Sequence, residues 1–358
     1  MDDAHAQERQ SRESSEMLRN KNPFILLLAF LLICVVPFAF AQTAEPPKLE
    51  KTVELPGYSG DFDHFAVDRE RGRLLLAAED HGTLELFDLR TGNHLRTIAG
   101  FDNPHSILIR PGVPTILVTD SGKSMSKLLD AESYEKKGRV TLVPGADSIG
   151  YDAAENVVYI VTGGKDVDMK TAELAAVDPD TGEKKRAITF QDDHVEAMAI
   201  EKDGNRLFVN LTQTNKLAVV DRKAMKVLAQ WPVSAAQQNA MVAFDAANHR
   251  LYIGCRKPGM IVTMNSDTGK ITGTAAGPLR SDELLFDAAS RRLYMPGGEG
   301  YMGVYDTSDP DHLKVISKVS TAPGAKTGIL LPDMKEVVLA VSPGDTKATA
   351  KVLTFSLQ

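Results

Sequence analysis

The sequence predicts an all-β protein, a seven-bladed β-propeller of four-stranded antiparallel blades. Three observations predict it. First, an apolar run ending at a turn recurs seven times, at Val67-Asp68, Ile109-Arg110, Tyr151-Asp152, Ile200-Glu201, Phe244-Asp245, Phe286-Asp287 and Leu331-Pro332, roughly 42–49 residues apart. Second, each copy continues with short runs rich in Val, Ile, Leu and Tyr, bounded by Asn, Asp, Gly or Pro, which is the pattern of a meander. Third, the last copy ends one strand short, while an unmatched strand, Leu49 to Leu55, stands before the first.

The clearest copy is Met241 to Ala275. Its runs are Met241 to Phe244, Leu251 to Gly254, Met260 to Met264, and a fourth starting at Lys270. In Asp267-Thr268-Gly269 the Asp is expected to hydrogen-bond its own turn, and the Gly takes positive φ without steric cost. A lone meander cannot bury both faces, so the copies must stack.

The second strand recurs at Arg73–Leu76, Thr115–Val118, Val157–Ile160, Arg206–Val209, Arg250–Ile253, Arg292–Met295 and Glu336–Leu339. Third strands follow at Leu84–Asp88, Leu174–Asp178, Leu217–Asp221 and Gly303–Asp306. After Leu339 only Ala350 to Ser356 is left. Pairing Leu49–Leu55 with Lys351–Phe355 completes the seventh sheet and removes two exposed edges. An open solenoid would leave both edges bare. The propeller is therefore expected over 49–358.

Residues 1–41 carry a different pattern. Phe24 to Phe40 is an almost unbroken apolar run, preceded by Arg19 and Lys21 and ending in Ala39-Phe40-Ala41 before Gln42. That is the positive, apolar, small-residue order of a secretory signal, so cleavage near Ala41/Gln42 and an extracytoplasmic address, periplasmic or secreted, are expected. Met1 to Glu16 is acidic for a signal, and a start at Met17 gives the compact n-region Met17 to Asn22. The alternative is a retained N-terminal membrane anchor, because roughly 17 apolar residues stand at the short edge of a spanning length. Cys34 lacks the small residues of a lipoprotein site. Residues 42–48, with Pro46-Pro47, read as a tether. Beyond it only Cys255 remains, so no internal disulfide forms, and Cys255 reads as a structural thiol near a strand end.

With 358 residues, 43% of them hydrophobic, and a formal charge of −7, the chain can bury a large core. The acidic balance argues against nucleic acid as a partner. The basic patches Lys123–Lys127 and Lys184–Arg186 read as solvated faces.

The Val-Asp and Asp-Thr-Gly turns and Arg-Leu-Tyr triplets place the chain near a known family. Val177-Asp178-Pro179-Asp180-Thr181-Gly182, Asp267-Thr268-Gly269, and the triplets at 250–252 and 292–294 resemble the YVTN (YncE-like) family of exported bacterial seven-bladed propellers. The resemblance spans Leu49 to Leu357 and rests on architectural motifs. The literal YVTN tetrapeptide is absent, with Tyr159-Ile160-Val161-Thr162 near its place. No Gly-His and Trp-Asp pair of the WD40 type occurs, and the one tryptophan is Trp231. The resemblance implies an extracytoplasmic binding or scaffold protein and supplies no catalytic residue.

In a propeller the first strand of each blade lines the central channel, so the residues entering it converge at one mouth. They are Asp63-His64, Asn103-Pro104-His105, Asp147-Ser148, His194 with Glu196, Gln238-Asn239, Asp282-Glu283 and Lys326-Thr327. We expect Asp63, His64, His105, Asp147, Glu196, Asn239, Asp282, Glu283 and Lys326 to form a ligand site. If His64, His105 and His194 converge, they would ligate a divalent metal, with Asp63, Asp147, Glu196 or Asp282 completing a mixed N/O shell. Otherwise no cofactor is expected. In the fifth copy Ala240-Met241 offer little polar chemistry where other copies place His, Asp or Glu, so it reads as scaffold.

Gly163-Gly164-Lys165 and Gly297–Gly300 lead from a second strand into a third, so they read as hairpin turns and not as phosphate loops, which need a helix behind them. No Gly-x-Ser-x-Gly elbow or His-Glu-x-x-His stretch occurs. The sequence thus favours a monomeric binding or scaffold protein. Its partner would be a small ligand, a peptide or an envelope protein, with the loops Gly163–Thr171 and Ser342–Thr349 as further contact segments. The alternative is a metal-assisted propeller hydrolase, lactonase or lyase acting at the channel mouth.

Overall fold

The structure, a computed structural model, describes residues 45–357 apart from Ser124 and Asp345. The expected signal, its cleavage point and the start at Met17 lie outside the described residues, as do the first three tether residues. Seven four-stranded antiparallel sheets follow one another. Six are built from successive strands within 65–99, 104–139, 149–190, 195–232, 237–276 and 285–323. The seventh combines Ala325–Leu331, Glu336–Val341 and Ala350–Ser356 with the N-terminal strand Lys48–Leu55. A single three-residue 3₁₀ turn, Lys165–Val167, interrupts the strands among the described residues, and none of these contains a helix long and apolar enough to cross a membrane.

The ring closes as the leftover strands require. Leu49 pairs with Phe355, Val53 with Val352 and Leu55 with Ala350. Leu55 also joins Val338, Ala340 and Val352 of the seventh blade and Phe62, Phe65, Leu76 and Phe87 of the first in one hydrophobic cluster. The same strand therefore completes a sheet and seals the junction between the last blade and the first.

Burial explains the sequence pattern. Second strands lie between neighbouring blades and are covered on both faces, so Arg73–Ala78 and Glu336–Val341 are buried after their first residue and read as continuous apolar runs. Fourth strands face solvent on one side, and Lys226–Pro232 alternates exposed with half-buried positions. The third strand of the second blade, Lys127–Asp130, escapes the sequence pattern. It opens on a buried lysine whose Nζ lies 2.9 Å from Asp120 Oδ2, a polar start that apolar counting passes over.

The rim away from the channel mouth holds the recurring turns. Asp88 and Asp178, at the ends of third strands and not the Asp of an Asp-Thr-Gly triplet, accept the amides of Thr91 and Thr181 at 2.6 and 3.2 Å. In the fifth blade the acceptor is Asn265, which bonds the Thr268 amide at 2.9 Å, and not Asp267. Asp267 instead accepts from Arg206 of the fourth blade at 3.0 Å. It belongs to a series of clasps between blades. Arg73 reaches Glu132 at 2.8 Å, Arg110 reaches Asp180 at 2.7 Å, Arg222 reaches Asp152 at 2.9 Å and Arg250 reaches Asp311 at 2.6 Å. Of the arginines that open second strands, Arg73, Arg206 and Arg250 thus clasp a neighbouring blade, whereas Arg292 pairs with Asp306 of its own blade at 3.4 Å. The exposed pairs contribute about 0–1 kcal/mol each, while Arg222–Asp152 is buried on both sides, where loss of one partner costs about 3–5 kcal/mol.

Cys255 is fully buried, and burial pushes its thiol up to about 12, which suits a structural residue and not a nucleophile.

Candidate functional site at the channel mouth

Two features of antiparallel blades build the mouth. Each first strand begins there, and its pairing brings the end of the second strand to the same rim. The Asp63 amide bonds the Ala77 carbonyl at 2.9 Å, and the Asp147 amide bonds the Val161 carbonyl at 3.0 Å. Buried threonines then lock neighbouring blades together. The hydroxyls of Thr119, Thr212 and Thr327 donate to the carbonyls of Asp147, Asn239 and Asp63 at 2.8, 2.6 and 3.0 Å. Gly324 leads into the seventh blade with φ +90, where an added Cβ would meet the Ser342 carbonyl oxygen at 2.0 Å. That close approach sets the start of the strand carrying Lys326.

The rim encloses a cavity of about 310 Å³, lined by Asp61, Asp63, His64, Glu79, His105, Asp147, Ser148, Asp166, Glu196, Arg256, Asp282 and Lys326 together with Phe62, Ala197 and Ala240. Asp63 is its hub. Asp63 Oδ2 lies 2.6 Å from His105 Nδ1, and Asp63 Oδ1 lies 3.4 Å from His64 Nε2. The other His64 nitrogen, Nδ1, is 3.3 Å from Glu283 Oε1. His105 also stands 3.8 Å from Asp147 through Nδ1 and 4.0 Å from Glu79 through Nε2.

Opposite lies a cationic chain. Arg256 bridges Glu196 at 2.9 Å and Asp282 at 2.6 Å, and Lys326 bridges Asp282 and Asp61 at 2.8 Å each. A second cavity, about 500 Å³, adjoins across Asp61, Arg256, Asp282 and Lys326 and runs beneath the Ser342–Thr349 loop past Pro323, Pro343 and Thr346.

Most of the sequence-derived site assembles here. Asp63, His64, His105, Asp147, Glu196, Asp282 and Lys326 line the cavity, and Glu283 joins through His64. Two residues do not take the expected place. Asn239 is fully buried, its amide donating to Asn210 Oδ1 and the Lys216 carbonyl at 2.8 Å each, so it ties strands together and faces no ligand. His194 does not meet the other two imidazoles. Its Nε2 bonds Glu196 at 2.7 Å, and Lys165 from the 3₁₀ turn approaches its Nδ1 at 3.1 Å. Both nitrogens are engaged, because the loop after the second strand of the preceding blade folds over them. The residues whose ligating atoms lie within 4.8 Å of one another are Asp63, Glu79 and His105, and Asp63, His64 and Asp147.

Sequence reasoning missed Asp61, Glu79, Asp166 and Arg256. Glu79 and Arg256 come at the ends of second strands, and only strand register places them at the mouth, because an antiparallel partner returns its last residues to the rim where the first strand begins. Arg256 also corrects the reading of the fifth blade as plain scaffold, since that blade supplies the cation shared by Glu196 and Asp282.

Proton affinities reflect this crowding. For His105, burial disfavours the charge, but Asp147, Asp63 and Glu79 outweigh it and raise its pKa to about 10. His64 is likewise held well above the usual imidazole value: burial opposes its charge, and Asp63, Glu283 and Asp147 overcome that opposition. Burial and neighbouring carboxylates raise Glu79 to about 7 and Asp147 to about 6, although His105 pulls both down. For Glu196, burial acts upward, but His194 and Arg256 prevail and hold it at about 2.

The raised pKa of His105 predicts a pH signature. A proton held more tightly in the folded state stabilises fully below about 6.5 and is lost as pH rises through about 10. Thermal melts from pH 6 to 10 should therefore show wild type losing stability faster than His105→Gln. Parallel curves would mean that His105 is not held protonated by its neighbours.

No family model and no curated protein sequence matches the chain. Solved structures do. The WD40 repeats of RRP9 superpose with a TM-score of 0.72 at 9% identity, covering 88% of this chain and 100% of that one. A chain of the mitotic checkpoint complex gives a TM-score of 0.69 at 14% identity, covering 86% and 91%. At such identities the likeness shows the propeller fold alone. These neighbours are WD40 propellers, whereas the signature Trp-Asp pairs are missing from this sequence, so what is shared is blade architecture.

Proposed function

We propose that the protein is an exported binding and scaffold propeller whose channel mouth takes a small ligand, or a partner side chain, that carries positive charge. The observation that carries this reading is the imbalance at the mouth: seven carboxylates line the cavity against four bases. The two permanent cations are already committed. Arg256 and Lys326 each serve two carboxylates. Asp147 and Glu79 reach a base no closer than 3.8 and 4.0 Å among the described residues. Like charges crowded on one axis favour a bound cation. The volume suits a small amine or the head of one lysine or arginine side chain of a peptide or envelope partner.

Binding is favoured over hydrolysis by what lines the cavity. Among the described residues that line it, the one side-chain hydroxyl, Ser148, faces Asp147 at 3.5 Å, so these residues assemble no hydroxyl–imidazole pair. The extracytoplasmic address and the YVTN-like kinship enter this proposal from the sequence alone.

Thermal-shift and calorimetric titrations at low salt test the reading, comparing spermidine and arginine methyl ester with citrate and sulfate. The organic cations should stabilise the protein and bind more tightly as pH rises from 5.5 to 8, because Glu79 and Asp147 ionise across about 7 and 6. Asp147→Asn should weaken them. Stabilisation by the anions alone, or by neither class, would overturn the proposal.

A further inference from the structure

Resting on the cation reading above, we infer that this mouth holds a divalent transition-metal ion, with Asp63, Glu79 and His105 as ligands and water completing the shell. The expected three-histidine site is thereby replaced by a carboxylate-rich one centred on Asp63. Three lines support it.

The first is geometry. One ligating atom each from Asp63, Glu79 and His105 falls within 4.8 Å of the others. Ligands at about 2.0–2.1 Å around Zn²⁺ stand roughly 3.3 Å apart, so the 4.0 Å approach of Glu79 to His105 Nε2 closes by less than about 1 Å. Asp147, 3.8 Å from the other ring nitrogen, Nδ1, stays outside the shell.

The second is support behind the ligands. His64 holds the other Asp63 oxygen at 3.4 Å and is itself held by Glu283 at 3.3 Å. Thr327 anchors the backbone carbonyl of Asp63 from the neighbouring blade. Such outer contacts orient ligands before a metal arrives. Asp63 and Glu79 come from the first blade and His105 from the second, so a bound ion also ties two blades together.

The third is donor chemistry. An imidazole among carboxylates suits Zn²⁺ or Mn²⁺, whereas Ca²⁺ takes six to eight oxygens and Mg²⁺ retains most of its water.

The test is calorimetry of untagged protein with ZnCl₂, MnCl₂ and CaCl₂, together with direct metal analysis after dialysis. We expect one Zn²⁺ or Mn²⁺ per chain and far weaker Ca²⁺. Glu79→Gln and His105→Asn should each weaken binding by roughly 10–100-fold or more, and Leu95→Ser on the outer edge should leave it unchanged. Circular dichroism checks that the variants remain folded, and Glu79, partly exposed, is the milder change. Stoichiometric binding that both variants retain overturns the assignment of ligands. If spermidine binds and no divalent metal does, the metal inference falls while the cation reading stands. If neither binds, both fall.

Discussion

Asp63→Asn is expected to abolish cation binding at the channel mouth and to return His64 and His105 toward ordinary imidazole behaviour. The substitution keeps size and shape, and the carbonyl that accepts from Thr327 is backbone, so the blade junction survives. What disappears is the one carboxylate touching both imidazoles, at 2.6 Å to His105 and 3.4 Å to His64. Two partly buried cations then lose their common partner. Hydrogen bonds to charged groups contribute about 1.5–3 kcal/mol, so a stability loss of about 2–4 kcal/mol is expected near neutral pH. Urea unfolding at pH 7.5 measures it, and a calorimetric titration of the same variant reads the ligand loss. An unchanged midpoint with intact binding would show that Asp63 is merely solvated.

Removing the N-terminal strand should have the larger effect on folding. A chain starting after Leu55 loses the outer strand of the seventh sheet and leaves the backbone of Ala350–Ser356 open along seven residues. It also empties the place of Leu55, 2% exposed, at the seam of the first and last blades. Burying a leucine contributes about 2–5 kcal/mol when its loss leaves a cavity, and an exposed edge strand recruits other chains. The shortened protein should aggregate or elute as oligomers in size-exclusion chromatography with light scattering, while the chain starting at Glu45 remains compact. A soluble monomer with the same melting temperature would refute closure by this strand.

The architecture was readable because it is repetitive. Val67-Asp68, Tyr151-Asp152 and Phe244-Asp245 each mark where a first strand meets its turn, and the structure ends strands at Asp68, Asp152 and Asp245. The leftover strand 49–55 pairs with 350–355 because an unpaired edge at each end of one chain has a single economical solution. Turn chemistry was less certain. Asp267 and Asn265 both fit the motif, and the residue that ends the third strand, as at Asp88 and Asp178, is the one that accepts from the turn.

The site was half legible. Polar residues before first strands identified Asp63, His64, His105, Asp147, Asp282 and Lys326, since equivalent positions in a closed ring face one axis. Convergence among them was not legible. Nothing in the spacing of His194 reveals that Glu196, two residues on, and Lys165, from the third blade, occupy its ring nitrogens. Nor does it reveal that Asn239 points into the junction with the fourth blade, toward Asn210. Glu79 and Arg256 required strand register, which a list of motifs does not carry.

The central claim is that Asp63 gathers two protonated imidazoles within an excess of carboxylates, making the mouth a cation site. The most direct measurement is a pH titration of the histidine ring resonances by NMR, assigned with His64→Gln and His105→Gln. For metal-free protein the account predicts that both rings remain protonated at pH 7.5 and that His105 titrates near 10, a bound metal displacing the His105 proton. Midpoints near 6.5 for both rings would contradict it and leave the mouth an ordinary solvated channel.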